Sequence, residues 1–294
     1  MSLLQVILLA IVQGLAELLP VSSSAHVVVA EKLMGLDPSS PPMTLLLVML
    51  HTGTMFAVIA YFWNQWKRTY FASADSFKRF LIRAIWASFL TAIIGYPIIK
   101  VIEKTAFVGA TKGEIESLFG RLDLVAPALL AAGILILIAG LMEKRSMQRQ
   151  VYGNNVTMRQ AGWMGAVQGL CLPFRGFSRS GATISTGLLT GASKDRAERF
   201  SFALAVILTP AAIAKEALRL VKATHTAAAS GAPIDLHTSL MMSLLGMVFA
   251  FLAGLVALKW LSNWLEHGRW YIFGIYCLAA SAFVFYLHYG PRHL

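Results

Sequence analysis

Charge and cysteine are both scarce in this chain, and each shortage excludes a class of protein. Charged residues make up 13% of the sequence, against about 25% in a soluble domain. The two cysteines, Cys171 and Cys277, lie in apolar stretches and support neither a disulfide framework nor a metal-ligand spacing. No Walker-type glycine loop and no metal-ligand pair of histidines is present. Met1–Leu19 lacks a basic opening segment and a small-residue cleavage site, so it does not read as a cleavable signal peptide.

Apolar residues are abundant. They form 57% of the 294 residues, and the mean hydropathy is +0.67. That much apolar surface must face lipid. The net charge of +11 would suggest nucleic acid in a soluble protein. Here the cations fall between apolar stretches, so they read as topology signals, and no nucleic-acid partner is expected.

A full span needs about 20 residues, with a range of roughly 17–25. Met43–Trp63, Leu81–Ile99, Leu122–Met142, Ser239–Leu261 and Tyr271–Tyr289 qualify, and Phe200–Ala214 does so if extended. Val27–Met34, Ala161–Leu172 and Ala182–Gly191 are too short to cross and read as re-entrant or broken helices. Leu3–Leu19 runs into the polar stretch Pro20–His26 and pairs with Val27–Met34 as one re-entrant hairpin.

The two halves of the sequence are alike. Val12-Gln13-Gly14-Leu15 recurs as Val167-Gln168-Gly169-Leu170, an offset of 155. Ser23-Ser24-Ala25-His26 matches Ser180-Gly181-Ala182-Thr183, and Thr52-Gly53 matches Thr209-Pro210, both at 157. The order implies a duplication within one membrane domain, residues 1–294, with repeat 1 about 1–145 and repeat 2 about 156–294. The expected fold is an all-α integral membrane protein in which each half holds one re-entrant helix pair and three transmembrane helices. Three is odd, so the second copy enters from the opposite side, which is an inverted-topology repeat. The charges lean the same way. One set of loops carries twelve cations, Lys67, Arg68, Lys78, Arg79, Lys144, Arg145, Arg149, Arg159, Lys194, Arg196, Arg199 and Arg269. The other carries eight, Lys100, Lys104, Lys112, Arg121, Lys215, Arg219, Lys222 and Arg292, and is expected outside.

Two polar clusters interrupt the apolar pattern. In the first, Gln13 and Glu17 are four apart and share a helix face. A carboxylate inside an apolar segment is costly and faces a cavity, an ion or a partner. Pro20 stops the helix, and Ser22, Ser23 and Ser24 then stand at a helix start, where the dipole favours an anion. His26 follows in the first turn and can reach the same anion as general base, acid or nucleophile. The second cluster is Arg175-Gly176-Phe177-Ser178-Arg179-Ser180-Gly181-Ala182-Thr183. Gly176 and Gly181 permit close backbone approach, Arg179 offers a planar fork for phosphate oxygens, and Ser178, Ser180 and Thr183 add hydroxyls. Taken singly, serines at a helix start are often plain caps and a histidine is often structural. A buried Arg179–Glu17 pair could also simply hold the halves together. The whole set at membrane depth points to phosphoryl chemistry. Three attacking groups stay open: Ser23 with His26 as base, His26 itself, or a metal-bound water.

The stretch QGLAELLPVSSSAH, Gln13–His26, resembles the first motif of the undecaprenyl-diphosphate phosphatase family of the bacitracin-resistance type. GFSRSGAT, Gly176–Thr183, resembles its second motif, and the similarity runs along nearly the whole chain. The resemblance implies a multi-pass enzyme of the bacterial inner membrane whose site faces the periplasm. It would hydrolyse undecaprenyl diphosphate to undecaprenyl phosphate and phosphate, recycling the carrier for peptidoglycan synthesis. It also implies a divalent cation, Mg2+ or Ca2+, with Glu17 as a metal ligand. By motif position Glu17, Ser23, His26 and Arg179 would be catalytic, and Gln13, Ser22, Ser24, Gly176, Ser178, Ser180, Gly181 and Thr183 would bind substrate. The implied partners are the polyprenyl diphosphate and membrane lipids, and a homodimer is left open. Two positions depart from the family pattern: Gln13 stands where Glu is frequent, and Arg175 where Pro is usual. The rival reading is an inverted-repeat transporter or a flippase for a phosphorylated prenyl lipid.

Overall fold

A computed structural model describes residues 1–37, 40–106, 121–146, 155–229 and 236–290. The elements among them are ten helices: α1 (Leu3–Leu18), α2 (Ser23–Leu33), α3 (Pro41–Thr69), α4 (Ala74–Ala106), α5 (Leu122–Ser146), α6 (Met158–Cys171), α7 (Arg179–Leu189), α8 (Lys194–Ala229), α9 (Leu236–Glu266) and α10 (Trp270–Tyr289). Five of them, α3, α4, α5, α9 and α10, are long and apolar enough to cross a membrane. They are the five spans expected from hydropathy. At 1.5 Å per residue even the shortest, α10 with 20 residues, covers about 30 Å. The expected extension of Phe200–Ala214 is large, because α8 runs for 36 residues.

The four short helices come as two broken pairs, α1–α2 and α6–α7. Hydropathy placed the starts of α2, α6 and α7 too late by about three to four residues. The physical reason is that these helices open with polar turns, Ser23-Ser24, Met158-Arg159-Gln160 and Arg179-Ser180. Each pair also begins with the same device. Ser2 and Gln5 form a capping box on α1, and Thr157 and Gln160 form one on α6.

Small residues let the broken pairs press against long helices from the far half of the chain. Gly14 of α1 lies on α9, where an added Cβ would come within 2.6 Å of Ala253 Cβ and 2.7 Å of the Ala250 oxygen. Gly169 of α6 lies on α4 in the same way, 2.7 Å from the Thr91 oxygen and 3.2 Å from the Gly95 nitrogen. Close backbone approach through glycine is how helices associate where lipid removes the hydrophobic drive. Gly133 and Gly274 bring α5 and α10 together likewise. Outward, α4 exposes Ile82, Ile85, Phe89, Ile93 and Tyr96 along one stripe, a face suited to lipid and not to water.

Candidate active site

The site is built where the two broken pairs meet. The last turn of α1 carries Gln13 and Glu17 on one face, and Gln13 Nε2 donates to Glu17 Oε2 at 3.2 Å. The helix stops at Leu18, Leu19 is extended, and the chain turns through Pro20–Ser22. Ser22 closes that turn with φ 69°, the single left-handed non-glycine backbone among the described residues. Such strain persists where surrounding structure enforces it, and it concentrates at functional sites. Ser22 is the N-cap of α2 but makes no side-chain cap hydrogen bond to its backbone; its Oγ pairs with Ser24 Oγ at 3.3 Å. Ser23, the first residue of α2, donates from Oγ to Glu17 Oε2 at 2.5 Å.

The second break supplies cations. After α6 the chain turns at Gly176, whose φ of 103° suits glycine. A Cβ there would also strike the Val125 carbonyl oxygen. Ser178 caps α7, its Oγ accepting from the Gly181 N–H at 3.1 Å. Arg179, the first residue of α7, donates from Nη2 to Glu17 Oε1 at 3.2 Å. Its Nη1 is shielded and has no hydrogen-bond partner among the described residues. A buried donor with no acceptor is costly, and a phosphate oxygen would satisfy it. Two further hydrogen bonds lock the breaks together: the Gly176 N–H donates to Ser24 Oγ at 3.3 Å, and Ser180 Oγ donates to the Leu19 carbonyl at 3.3 Å.

Between the breaks lies a cavity of about 460 Å3. Glu17, Ser22, Ser23, Ser24, Ser178, Arg179 and Ser180 line it, so seven of the expected site residues come together. Val48, Leu172, Phe174, Phe177 and Leu208 form an apolar wall. Glu17, Arg179 and Arg175 all line it, and Arg175 also faces the buried carboxylate of Glu31.

The remaining expected residues stand outside the lining. Gln13 is buried behind Glu17, and Gly176 and Gly181 shape the turn around α7. Thr183 is fully buried and meets Ser201 Oγ at 2.6 Å and the Arg179 carbonyl at 2.8 Å. His26 faces away from the cavity. Its Nδ1 donates to the Ser22 carbonyl at 2.8 Å, and its Nε2 pairs with Tyr276 Oη at 2.7 Å beneath a stacked ring. Three groups were missed by sequence reasoning. His51 lines the cavity with Nε2 at 3.9 Å from Glu17 Oε2. Gln168 also lines it, while donating to Thr91 Oγ1 at 3.1 Å. Tyr276 reaches the first break from α10. His51 directly precedes the Thr52-Gly53 repeat match, a usable signal. Tyr276 carries none.

Among the described residues no group of three or more His, Cys, Asp or Glu side chains gathers around one point. A cation held wholly by protein therefore does not fit. Mg2+ is commonly bound by one or two carboxylates together with substrate phosphates, and Glu17 at the cavity wall fits an ion of that kind.

A family model described as "Bacitracin resistance protein BacA" matches residues 6–283. The chain is 57% identical to undecaprenyl-diphosphatase 2 of Acinetobacter baylyi over 97% of both chains. It is 34% identical to an undecaprenyl-diphosphatase of Desulfatibacillum aliphaticivorans, covering 97% of this chain and 98% of that one. With undecaprenyl-diphosphatase 2 of Burkholderia thailandensis the identity is 33% over 96% of each. A match over nearly the whole length, through both breaks and the helices that hold them, places this chain in the bacitracin resistance protein BacA family.

Proposed function

We propose that this chain hydrolyses undecaprenyl diphosphate to undecaprenyl phosphate and phosphate, and so returns the carrier lipid to peptidoglycan synthesis. The observation that carries the reading is the contact series Ser23 Oγ–Glu17–Arg179 at the wall of one cavity. It sets a hydroxyl against a carboxylate and a guanidinium with a spare N–H. The apolar wall suits the first isoprene units of the lipid, and the polar end suits the diphosphate.

In this reading Ser23 Oγ attacks the terminal phosphorus, and its proton passes to Glu17 Oε2 along the 2.5 Å hydrogen bond. Undecaprenyl phosphate leaves, carrying off the proton held by Glu17. Water then attacks the phosphoserine, its proton passing to Glu17 and on to Ser23 Oγ as the P–O bond breaks, and phosphate departs with Ser23 restored. Arg179 Nη1 and the start of α2 stabilise the charge that builds on the phosphoryl oxygens. His26 acts through Ser22, because its Nδ1–H holds the carbonyl of the strained residue that aims Ser23. The ion pair with Glu17 also gives Arg179 a structural role, so binding and holding the halves together are one arrangement. A divalent cation entering with the diphosphate would bind Glu17 and neutralise phosphate charge.

The inverted-topology repeat belongs to the same proposal. Its support is the pair of capping boxes on α1 and α6, both at the offset of 155 that relates Val12 to Val167. The exchange of partners adds to it, since Gly14 packs on the far α9 and Gly169 on the far α4. With the twelve-cation loops in the cytoplasm, the site opens towards the periplasm. Parts of these loops, residues 107–120, 147–154 and 230–235, lie outside the described residues.

The test is phosphate release from a C55 diphosphate by purified protein in detergent micelles, where no gradient exists. Release that falls on adding a chelator is expected. A protein that releases none, yet moves the lipid across vesicle bilayers, is a transporter.

A further inference from the structure

The turn between α3 and α4 gathers cations that no acid answers. Lys67 and Arg68 stand in the last turn of α3, Lys78 and Arg79 near the start of α4, and Arg83 one turn further along. Arg199 joins them from α8, donating from Nη1 to Thr69 Oγ1 at 2.7 Å. Among the described residues none of these six cations is in a salt bridge. Tyr70 lies within electrostatic reach of both Arg83 and Arg199, and Arg79 within reach of Arg83, so like charges crowd one spot. Arg83 Nε and Nη1 are shielded from water and have no hydrogen-bond partner among the described residues. Such orphaned donors are costly and call for an acceptor. The Arg83 residue as a whole is partly exposed, so an anion can reach its guanidinium from the surface.

We propose that Arg83 and Arg79 hold the phosphate of an anionic phospholipid in the leaflet at this end of the bundle. A guanidinium takes a phosphate through paired N–H groups, and the phosphate relieves the repulsion between the two side chains. The surroundings name a lipid as its source. Trp63, Phe71 and Phe77 are exposed around the same turn, and Ile82, Ile85 and Trp86 are exposed beside Arg83 on α4. Exposed aromatic rings sit at headgroup level in a bilayer, and clustered Lys and Arg at that level attract anionic lipid. Arg83, one turn inside the apolar helix, can lay its stem along lipid and keep its head at phosphate depth. Thr69 stands 18 residues beyond His51 on α3, about 27 Å along the helix. The lipid site is therefore separate from the cavity at the breaks and does not rest on the phosphatase reading.

The test is native mass spectrometry of tag-free protein in detergent, titrated with phosphatidylglycerol, phosphatidylcholine or inorganic phosphate. Wild type is expected to retain phosphatidylglycerol in preference to phosphatidylcholine. Arg83→Gln should weaken phosphatidylglycerol about fivefold, and the double variant Arg79→Gln/Arg83→Gln about thirtyfold, with phosphatidylcholine unchanged in both. Arg79 is exposed, so Arg79→Gln alone tests the pair without disturbing packing, and it too should cost about fivefold. Arg179→Ala, which removes the spare donor at the catalytic cavity, should leave the lipid bound. Retention unchanged in Arg79→Gln and in the double variant would overturn the site. Loss in Arg179→Ala with full retention in the double variant would also overturn it, by placing the lipid in the cavity. Inorganic phosphate that displaces the lipid from wild type at equal concentration would overturn the choice of a lipid and leave a site for a free anion.

Discussion

The two breaks occupy matching places in the two halves, yet they are built on opposite principles. The first is strained. Ser22 sits at φ 69° and leaves α2 without a side-chain cap, and the hydroxyl of Ser23 points at a carboxylate. The second is relaxed. Gly176 takes the positive φ at no steric cost, Ser178 caps α7, and the cluster contributes charge. The first break sets a hydroxyl against a carboxylate, and the second brings two guanidiniums to the same cavity.

Substitutions can break that division or sharpen it. The largest effect is expected at Ser23, where loss of the attacking hydroxyl should cost on the order of 10⁴ or more in kcat. Ser23→Ala assayed by phosphate release, with Ser24→Ala beside it as the milder variant, checks this. At the second break, Arg179→Lys should lose at least about tenfold in kcat/KM and Arg179→Ala more, because an ammonium cannot replace the planar fork. Full activity in Arg179→Lys with a dead Arg175→Ala would move the diphosphate clamp to the other guanidinium. For His26→Ala a loss nearer tenfold is expected, since that side chain acts through the Ser22 carbonyl, and the pH profile should keep its shape. A changed profile would make His26 a proton-transfer group. The smallest effects are on stability. Ser178→Ala should cost about 1 kcal/mol through its lost cap. Ser22→Gly should be neutral or stabilising by up to about 1 kcal/mol, because glycine relieves the left-handed strain. Thermal unfolding in detergent measures both, and the same sign in both variants would erase the contrast between strained and relaxed caps.

Much of this was legible in the sequence because membrane depth makes polar residues conspicuous. Glu17, Ser23 and Arg179 stood out for interrupting apolar runs, and the cavity gathers all three. The five spans were legible for the same reason, lipid demanding length and apolarity together. The start of α2 was legible from its serines, whereas a hydropathy window by itself ignores polar first turns and placed the starts of α2, α6 and α7 late. His51 was hidden by sitting alone inside the long apolar α3, and it joins Glu17 only through tertiary packing. Tyr276 lies 250 positions from His26, a pairing no local pattern encodes. The contact of Gln13 with Glu17 follows from their spacing of four on one helix, whereas Thr183 meets Ser201 only through tertiary packing.

The division of labour between the breaks comes down to Glu17, the residue both sides touch. Its most direct test is the steady-state rate of phosphate release from a C55 diphosphate by wild type and Glu17→Gln, side by side in micelles. Loss of the base that receives the Ser23 proton predicts a fall in kcat of about 10²–10⁴, with a smaller rise in KM because Arg179 and the cation both lose a contact with Glu17. A Glu17→Gln protein that turns over at the wild-type rate, or one that loses only substrate affinity, would contradict the placement of the chemistry at the first break.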